Sequence, residues 1–216
     1  MKHVPYKIIL LLFVWPVLII LSTVLYGLSH LPKSFSGRYY HSLTRLWCKL
    51  FVFALDVDLN LIVHNAQPIP EHYILMANHP SALEDFAVPA LFDIYPLAKA
   101  EVKKWFILGS ISEYAGTIYV QRENPRARHA VLQTLVDAVS DGKNLVIFPE
   151  GGCKGRRIYK NFQTGAFEIS LRTGIPVLPA YLQYIDEDTF VWKTESLVKK
   201  LWQIFINDNN QVNYHV

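Results

Sequence analysis

Residues 73–92 read YILMANHPSALEDFAVPALF, and this stretch decides the fold. Tyr73–Ala77 is a short apolar run with the length of a buried strand. Pro80 disfavours helical geometry at the residue before it, so Asn78-His79 forms an extended turn. From Ser81 to Phe92 the pattern is helical. Ser81 occupies a capping position, and Glu84 three residues later completes a capping box. A strand leading through a polar turn into a helix is the repeating unit of layered α/β domains.

The same alternation extends in both directions. Further strands are expected at Val57–Val63, Tyr95–Ala98, Thr117–Gln121, Asn144–Phe148 and Val177–Tyr184, with Gln211–Val216 as one more candidate. Helices are expected at Arg126–Ser140, Thr164–Thr173 and Glu195–Ile206. Strands separated by helices of this length favour a mixed, largely parallel sheet flanked by helices. In such sheets ligands gather beyond the carboxyl ends of the strands. Four polar groups fall there: Asn78-His79, Lys99, Arg122, and Pro149-Glu150-Gly151-Gly152.

Before Asp56 the sequence has a different character. Ile8 to Leu28 contains no charged residue and follows Lys2 and Lys7; as a straight helix it would be about 32 Å long, near the hydrocarbon thickness of a bilayer. Arg38–Leu55 repeats apolar residues at helical spacing, with Trp47 among them and Arg45 and Lys49 on another face. That pattern suits a helix lying at a membrane surface, and also a helix packed on the domain. Pro16 permits a kinked helix that enters one leaflet and returns. A single span with an exterior amino terminus is the alternative. The expected organisation is a membrane-anchoring helical pair over residues 1–56 and a domain of catalytic size over residues 57–216.

Composition agrees with membrane association. The 216 residues are 51% hydrophobic and only 18% charged, against about 25% charged in ordinary soluble domains. This excludes a disordered chain and argues against a freely soluble one. The formal net charge is +3, suited to an anionic membrane or a phosphorylated substrate. No nucleic-acid motif accompanies it. Cys48 and Cys153 are too distant in sequence for a disulfide scaffold or a zinc motif.

His79 is the candidate general base. Glu84 or Asp85 is the candidate acceptor of its ring N–H, fixing the tautomer and stabilising the imidazolium. The capping role of Glu84 is compatible with this, because a carboxylate has two oxygens. Lys99 and Arg122 are the candidates for a substrate phosphate, since Arg grips phosphate bidentately and Lys supplies a point charge. Glu150 could orient a substrate hydroxyl or hold a nearby cation. Gly151 and Gly152 permit close backbone approach to a ligand.

Five segments in order resemble the glycerolipid acyltransferases, the 1-acyl-glycerol-3-phosphate acyltransferase family. Asn78-His79 with an acid five residues beyond the histidine resembles that family's His-x4-Asp signature. Lys99-x-Glu101, Gly109, and Gly116 to Arg122 follow, then Phe148-Pro149-Glu150-Gly151. Phe162-x-x-Gly165-Ala166-Phe167 and Gly174-Ile175-Pro176-Val177-Leu178-Pro179 complete the set. The resemblance implies that His79 deprotonates a lysolipid hydroxyl, which attacks the thioester of acyl-CoA or acyl-carrier protein. It implies substrate binding by Asn78, Lys99, Arg122, Glu150, Gly151 and Gly152, no metal, and 1-acyl-glycerol-3-phosphate as acceptor giving phosphatidic acid. The domain is then expected on the cytoplasmic side of a membrane.

Three departures stand out. Glu84 replaces the family's Asp. Glu150-Gly151-Gly152-Cys153-Lys154 stands where Glu-Gly-Thr-Arg-Ser is common, so a basic residue is missing at Cys153. The chain also ends at Val216, near where a further strand often follows. Another lysolipid acceptor, such as an amino-acid-containing lipid, and a catalytically silent lipid-binding relative are the rival expectations.

Overall fold

The computed structural model of the chain describes residues 4–64, 67–120, 125–153, 161–193 and 195–216. The side chains of residues 4, 35–38, 99 and 125–129 lie outside the description. Arg122 and the basic residues Lys154, Arg156, Arg157 and Lys160 therefore fall outside it.

The apolar amino terminus forms α1 (Val4–Ile9), a π-helical turn (Leu10–Val14) and α2 (Trp15–Leu28), one after another. The π turn sits where Pro16 requires it. Proline has no N–H and its ring crowds the carbonyl four residues back, so the helix widens, and the Trp15 N–H bonds to Leu10 O. Pro5–Leu28 has a mean hydropathy of 2.9 in its most apolar window. Leu10, Leu18 and Leu25 are buried against the domain, whereas Leu12, Phe13, Ile19 and Ile20 are 62–66% exposed.

After a turn at Ser29–Pro32, α3 (Lys33–Ala54) runs back along α2. It starts five residues before the expected boundary. The expectation that its apolar face, with Trp47, meets the headgroup plane is overturned. Trp47 is buried, donates its indole N–H to Ser22 Oγ at 2.8 Å, and stacks on Phe51. Tyr40, Phe51 and Val52 are buried with it, so the amphipathic face is spent on packing. The helix ends in a Schellman motif, with Val57 N–H to Val52 O and Asp56 N–H to Phe53 O. Asp56 occupies the left-handed position (φ 59°) that usually takes glycine.

The catalytic-size domain contains β1 (Asp58–Ile62), β2 (Ile74–Ala77), α4 (Glu84–Leu91), β3 (Leu97–Lys99), α5 (Phe106–Tyr114), β4 (Ile118–Val120), α6 (Pro125–Ser140), β5 (Leu145–Ile147), α7 (Gly165–Thr173), β6 (Val177–Tyr184), α8 (Glu187–Phe190), α9 (Leu197–Ile206) and β7 (Gln211–His215). Five strands form a sheet in the order β1-β7-β6-β2-β5, and β3 pairs with β4. A parallel bridge between Tyr95 and Leu145 ties the β3-β4 pair to β5. All pairings are parallel except β6 with β7.

Adjacent residues of β2 feed opposite faces of the sheet, as the two-residue period requires. Leu75 packs in a core shared with α2, α3 and α4, while Ile74 packs in a second core with Leu135 and Val139 of α6 and Ile169 of α7. Both are fully buried, and each such side chain stabilises the fold by about 1.5–3 kcal/mol. The strand leading directly to Asn78-His79 is thus clamped from both sides. A turn of 3₁₀ helix (Ala100–Lys104) and α5 were not signalled by the sequence pattern. Gly109 explains their packing, since a Cβ there would stand 2.3 Å from Lys103 O.

Candidate active site

β2, β3, β5 and β6 all end at the same edge of the sheet because they run parallel, directly or through the Tyr95 bridge. Past that edge lie His79 after β2, the Glu150 turn after β5, and Tyr184 as the last residue of β6. The parallel topology therefore brings together residues separated by about a hundred positions.

His79 Nδ1 lies 2.9 Å from Glu84 Oε2. The same oxygen accepts the Ser81 N–H at 3.0 Å, which is one half of the expected capping box. The Ser81 hydroxyl makes a long contact with Leu83 N at 3.4 Å, because α4 begins at Glu84 rather than at Ser81, and it also hydrogen-bonds to the Tyr184 hydroxyl. Glu84 Oε1 accepts a short hydrogen bond from the Tyr184 hydroxyl. Capping and histidine binding thus coexist on one oxygen, with the tyrosine on the other.

Glu84 is fully buried. Burying a carboxylate costs several kcal/mol, and each hydrogen bond to a charged group returns about 1.5–3 kcal/mol. Three donors are about what the ionised form needs. Burial pushes the Glu84 carboxyl up, while the bonds from His79 and Tyr184 pull it back, and it stays above the usual carboxylate range. For His79, burial works against the imidazolium. The hydrogen bond to Glu84 and the charges of Glu84, Asp85 and Glu150 outweigh it, so the ring titrates above the usual histidine value. Asp85 lies on the exposed side of α4; its influence on His79 is through charge.

The imidazole stacks on Phe148, with centroids 4.1 Å apart and planes 15° apart. Glu150 is 2% exposed, and its Oε1 accepts the backbone N–H of His79 at 3.3 Å. Gly151 has a left-handed φ of 74°, and its N–H closes the turn onto Phe148 O at 3.1 Å. That amide is taken up by the turn. Gly152 lies beside it with φ 151°. The Asn78 amide bonds at both ends to Leu182, Oδ1 accepting its N–H at 2.7 Å and Nδ2 donating to its carbonyl at 3.0 Å. It welds the end of β2 to β6. Lys99 ends β3 at this edge, while Arg122 lies outside the described residues. Lys103, four residues after Lys99, pairs with Glu113 at 2.7 Å and lies over the Tyr119 ring.

Tyr184 is a part of the site that motif spacing alone does not single out. The carboxyl-end rule would find Tyr184, since the strand expected at Val177–Tyr184 ends on it.

The fold and site define an α/β domain that presents a carboxylate-oriented imidazole at the ligand edge of a largely parallel sheet. The description "Acyltransferase" belongs to the family model that matches residues 60–183. The 1-acyl-sn-glycerol-3-phosphate acyltransferase of Neisseria gonorrhoeae is 31% identical over 137 residues, covering 62% of this chain and 52% of the relative. The lyso-ornithine lipid O-acyltransferase of Pseudomonas aeruginosa is 29% identical over 142 residues, covering 66% and 54%. The crystal structure of the 1-acyl-sn-glycerophosphate acyltransferase from Thermotoga maritima superposes with a TM-score of 0.62 at 18% identity, covering 100% of this chain and 85% of that one; this likeness is one of fold. The chain belongs to the acyltransferase family, and it spans about half the length of the Neisseria relative.

Proposed function

We propose that the protein is a membrane-associated O-acyltransferase that moves an acyl chain from acyl-CoA or acyl-carrier protein to the hydroxyl of a lysophospholipid. The observation that carries this reading is the His79–Glu84 pair at the carboxyl end of β2. Glu84 holds the Nδ1–H, which leaves the Nε2 lone pair to accept a proton. As the acceptor oxygen bonds to the thioester carbon, its proton passes to Nε2. The carbon–sulfur bond then breaks, the sulfur takes that proton, and an ester and a free thiol result. A base that acts during the attack avoids forming a free alkoxide.

Asn78 and Glu150 hold the His79 turn in this reading, and Lys99 and Arg122 receive the acceptor's phosphate. Gly151 and Gly152 let the backbone approach the substrate. The first acceptor is 1-acyl-glycerol-3-phosphate, giving phosphatidic acid. A second acceptor class, an amino-acid-containing lysolipid, is favoured by one observation: Cys153 stands where the resembling family carries a basic residue.

Residues 1–56 act as the anchor and residues 57–216 as the catalytic domain. We read the anchor as monotopic with the domain on the cytoplasmic side. Near the start of the apolar helix, Lys7 bonds to Asn207 O and lies 3.5 Å from Asp208. At its far end, Tyr26 meets Phe106 of α5. A helix about 36 Å long touches the same domain at both ends, which supports lying along it.

Two experiments test these readings. Purified protein with a panel of lysolipids and both thioester donors is expected to give acylated lipid, with phosphatidic acid foremost. Free fatty acid alone would indicate a thioesterase, and lysolipid binding without transfer a silent relative. A single cysteine introduced near residue 3, with Cys48 and Cys153 replaced, is expected to be labelled from the cytoplasmic side of sealed oriented vesicles. Labelling only from the exterior would establish a span.

A further inference from the structure

Tyr184 does not touch the reacting atoms of the proposed reaction, yet it holds half of the carboxylate on which His79 depends. Its ring stacks on Phe190 of α8, with centroids 4.7 Å apart and planes 13° apart. That fixes the ring while the hydroxyl donates to Glu84 Oε1. We propose that Tyr184 is a positioning residue that keeps Glu84 ionised and so keeps His79 in the Nδ1–H tautomer. This rests on the general-base reading of His79.

Glu84 has two states beside a neutral ring, and they differ by one proton. As a carboxylate it accepts the Nδ1–H, which leaves Nε2 free. As a carboxylic acid it donates to Nδ1, which forces the ring hydrogen onto Nε2. That tautomer cannot take a proton from a substrate hydroxyl. A donor aimed at Oε1 favours the first state, since hydrogen bonding to a charged form stabilises it. Burial holds the Tyr184 phenol well above its usual range, so it remains a donor throughout the working pH.

Few other groups face this pair. Asp85 from α4 and Glu150 after β5 act on His79 by charge, and Arg45 and Cys48 of α3 lie on the Asp85 side. From β7, Tyr214 is fully buried within reach of the Glu84 charge. Its hydroxyl has no hydrogen-bond partner among the described residues. Tyr214 therefore provides an internal control, a buried phenol in the same pocket without the bond.

The test is the pH dependence of acyl transfer in purified full-length variants. Tyr184→Phe keeps the ring and removes the donor. It is expected to lower kcat about tenfold with both KM values unchanged, and to move the acidic limb upward by about one pH unit, because the carboxylate of the active pair loses a stabilising bond. In a Glu84→Gln background, which has no carboxylate to keep ionised, Tyr184→Phe should cost nothing further. Tyr214→Phe should keep the wild-type profile. Fluorotyrosine at position 184, a stronger donor of the same shape, should move the limb downward; this arm stands even if Tyr184→Phe fails to fold. An unmoved limb in both Tyr184 variants, an equal loss in the Glu84→Gln background, or the same shift in Tyr214→Phe would overturn the proposal. Full activity of His79→Ala would instead overturn the general-base reading on which it rests.

Discussion

Two charged clusters join distant parts of this chain, and they differ in one respect. At the start of the apolar helix, Lys7 of α1 faces Asp208 at 3.5 Å and Asp56 at 4.0 Å and bonds to Asn207 O. At the sheet edge, Glu84 is balanced by His79, Ser81 N–H and Tyr184. The first cluster has a permanent cation and an exposed partner, Asp208. The second is buried, and its only positive partner among the described residues is a titratable ring. A permanent cation ties elements together at any physiological pH. A titratable one ties the site's protonation to its chemistry, and function belongs at the second kind of cluster.

The largest effect should come from breaking the second cluster at its titratable member. His79→Ala is expected to leave the protein folded and membrane-bound while lowering turnover by roughly 10²-fold or more. Next comes its partner. Glu84→Gln should lower kcat by about 10- to 100-fold, whereas Asp85→Asn should stay within about threefold of wild type, since its charge is exposed and screened. Steady-state rates on the two proteins decide it, and a dead Asp85→Asn beside an active Glu84→Gln would reverse the assignment.

A smaller effect belongs to a permanent cation proposed to meet substrate. Arg122→Ala should raise the acceptor KM about tenfold, one charge-assisted contact, and leave the donor KM unchanged. Equal changes in both would make Arg122 a surface residue. The smallest effect belongs to the start of the apolar helix. Lys7→Ala should cost about 1 kcal/mol, since its partner Asp208 is exposed and the charge there is screened, a fall of roughly 2–4 °C in Tm for a chain of this size, and should leave kcat unchanged. Raised salt should shrink the difference in Tm between the two proteins.

The same contrast explains what the sequence reveals. The strands are legible because each is a short apolar run bounded by turns, and β6 spans the expected Val177–Tyr184. His79 and Glu84 are legible because their meeting is local, five residues across a turn fixed by Pro80. Tyr184 is less so, since its bond to Glu84 spans a hundred positions and depends on the order of parallel strands. Trp47 shows the other gap. An amphipathic stripe has the same spacing whether a membrane or α2 and α4 cover it, and only the packing of Ser22 and Phe86 against Trp47 decides. The pin at Lys7 is invisible for the reason that Tyr184 is, its acceptor lying two hundred residues away.

The central claim is that one proton must leave the His79–Glu84 pair before acyl transfer proceeds. The pH dependence of kcat/KM for the wild-type protein in lipid reports the free enzyme's base. Because the negative groups around His79 outweigh its burial, the acidic limb is expected to have its midpoint above the usual histidine value of about 6.5, and to be lost with His79→Ala. A profile that is flat on the acid side, or a limb that survives in His79→Ala, would contradict the account.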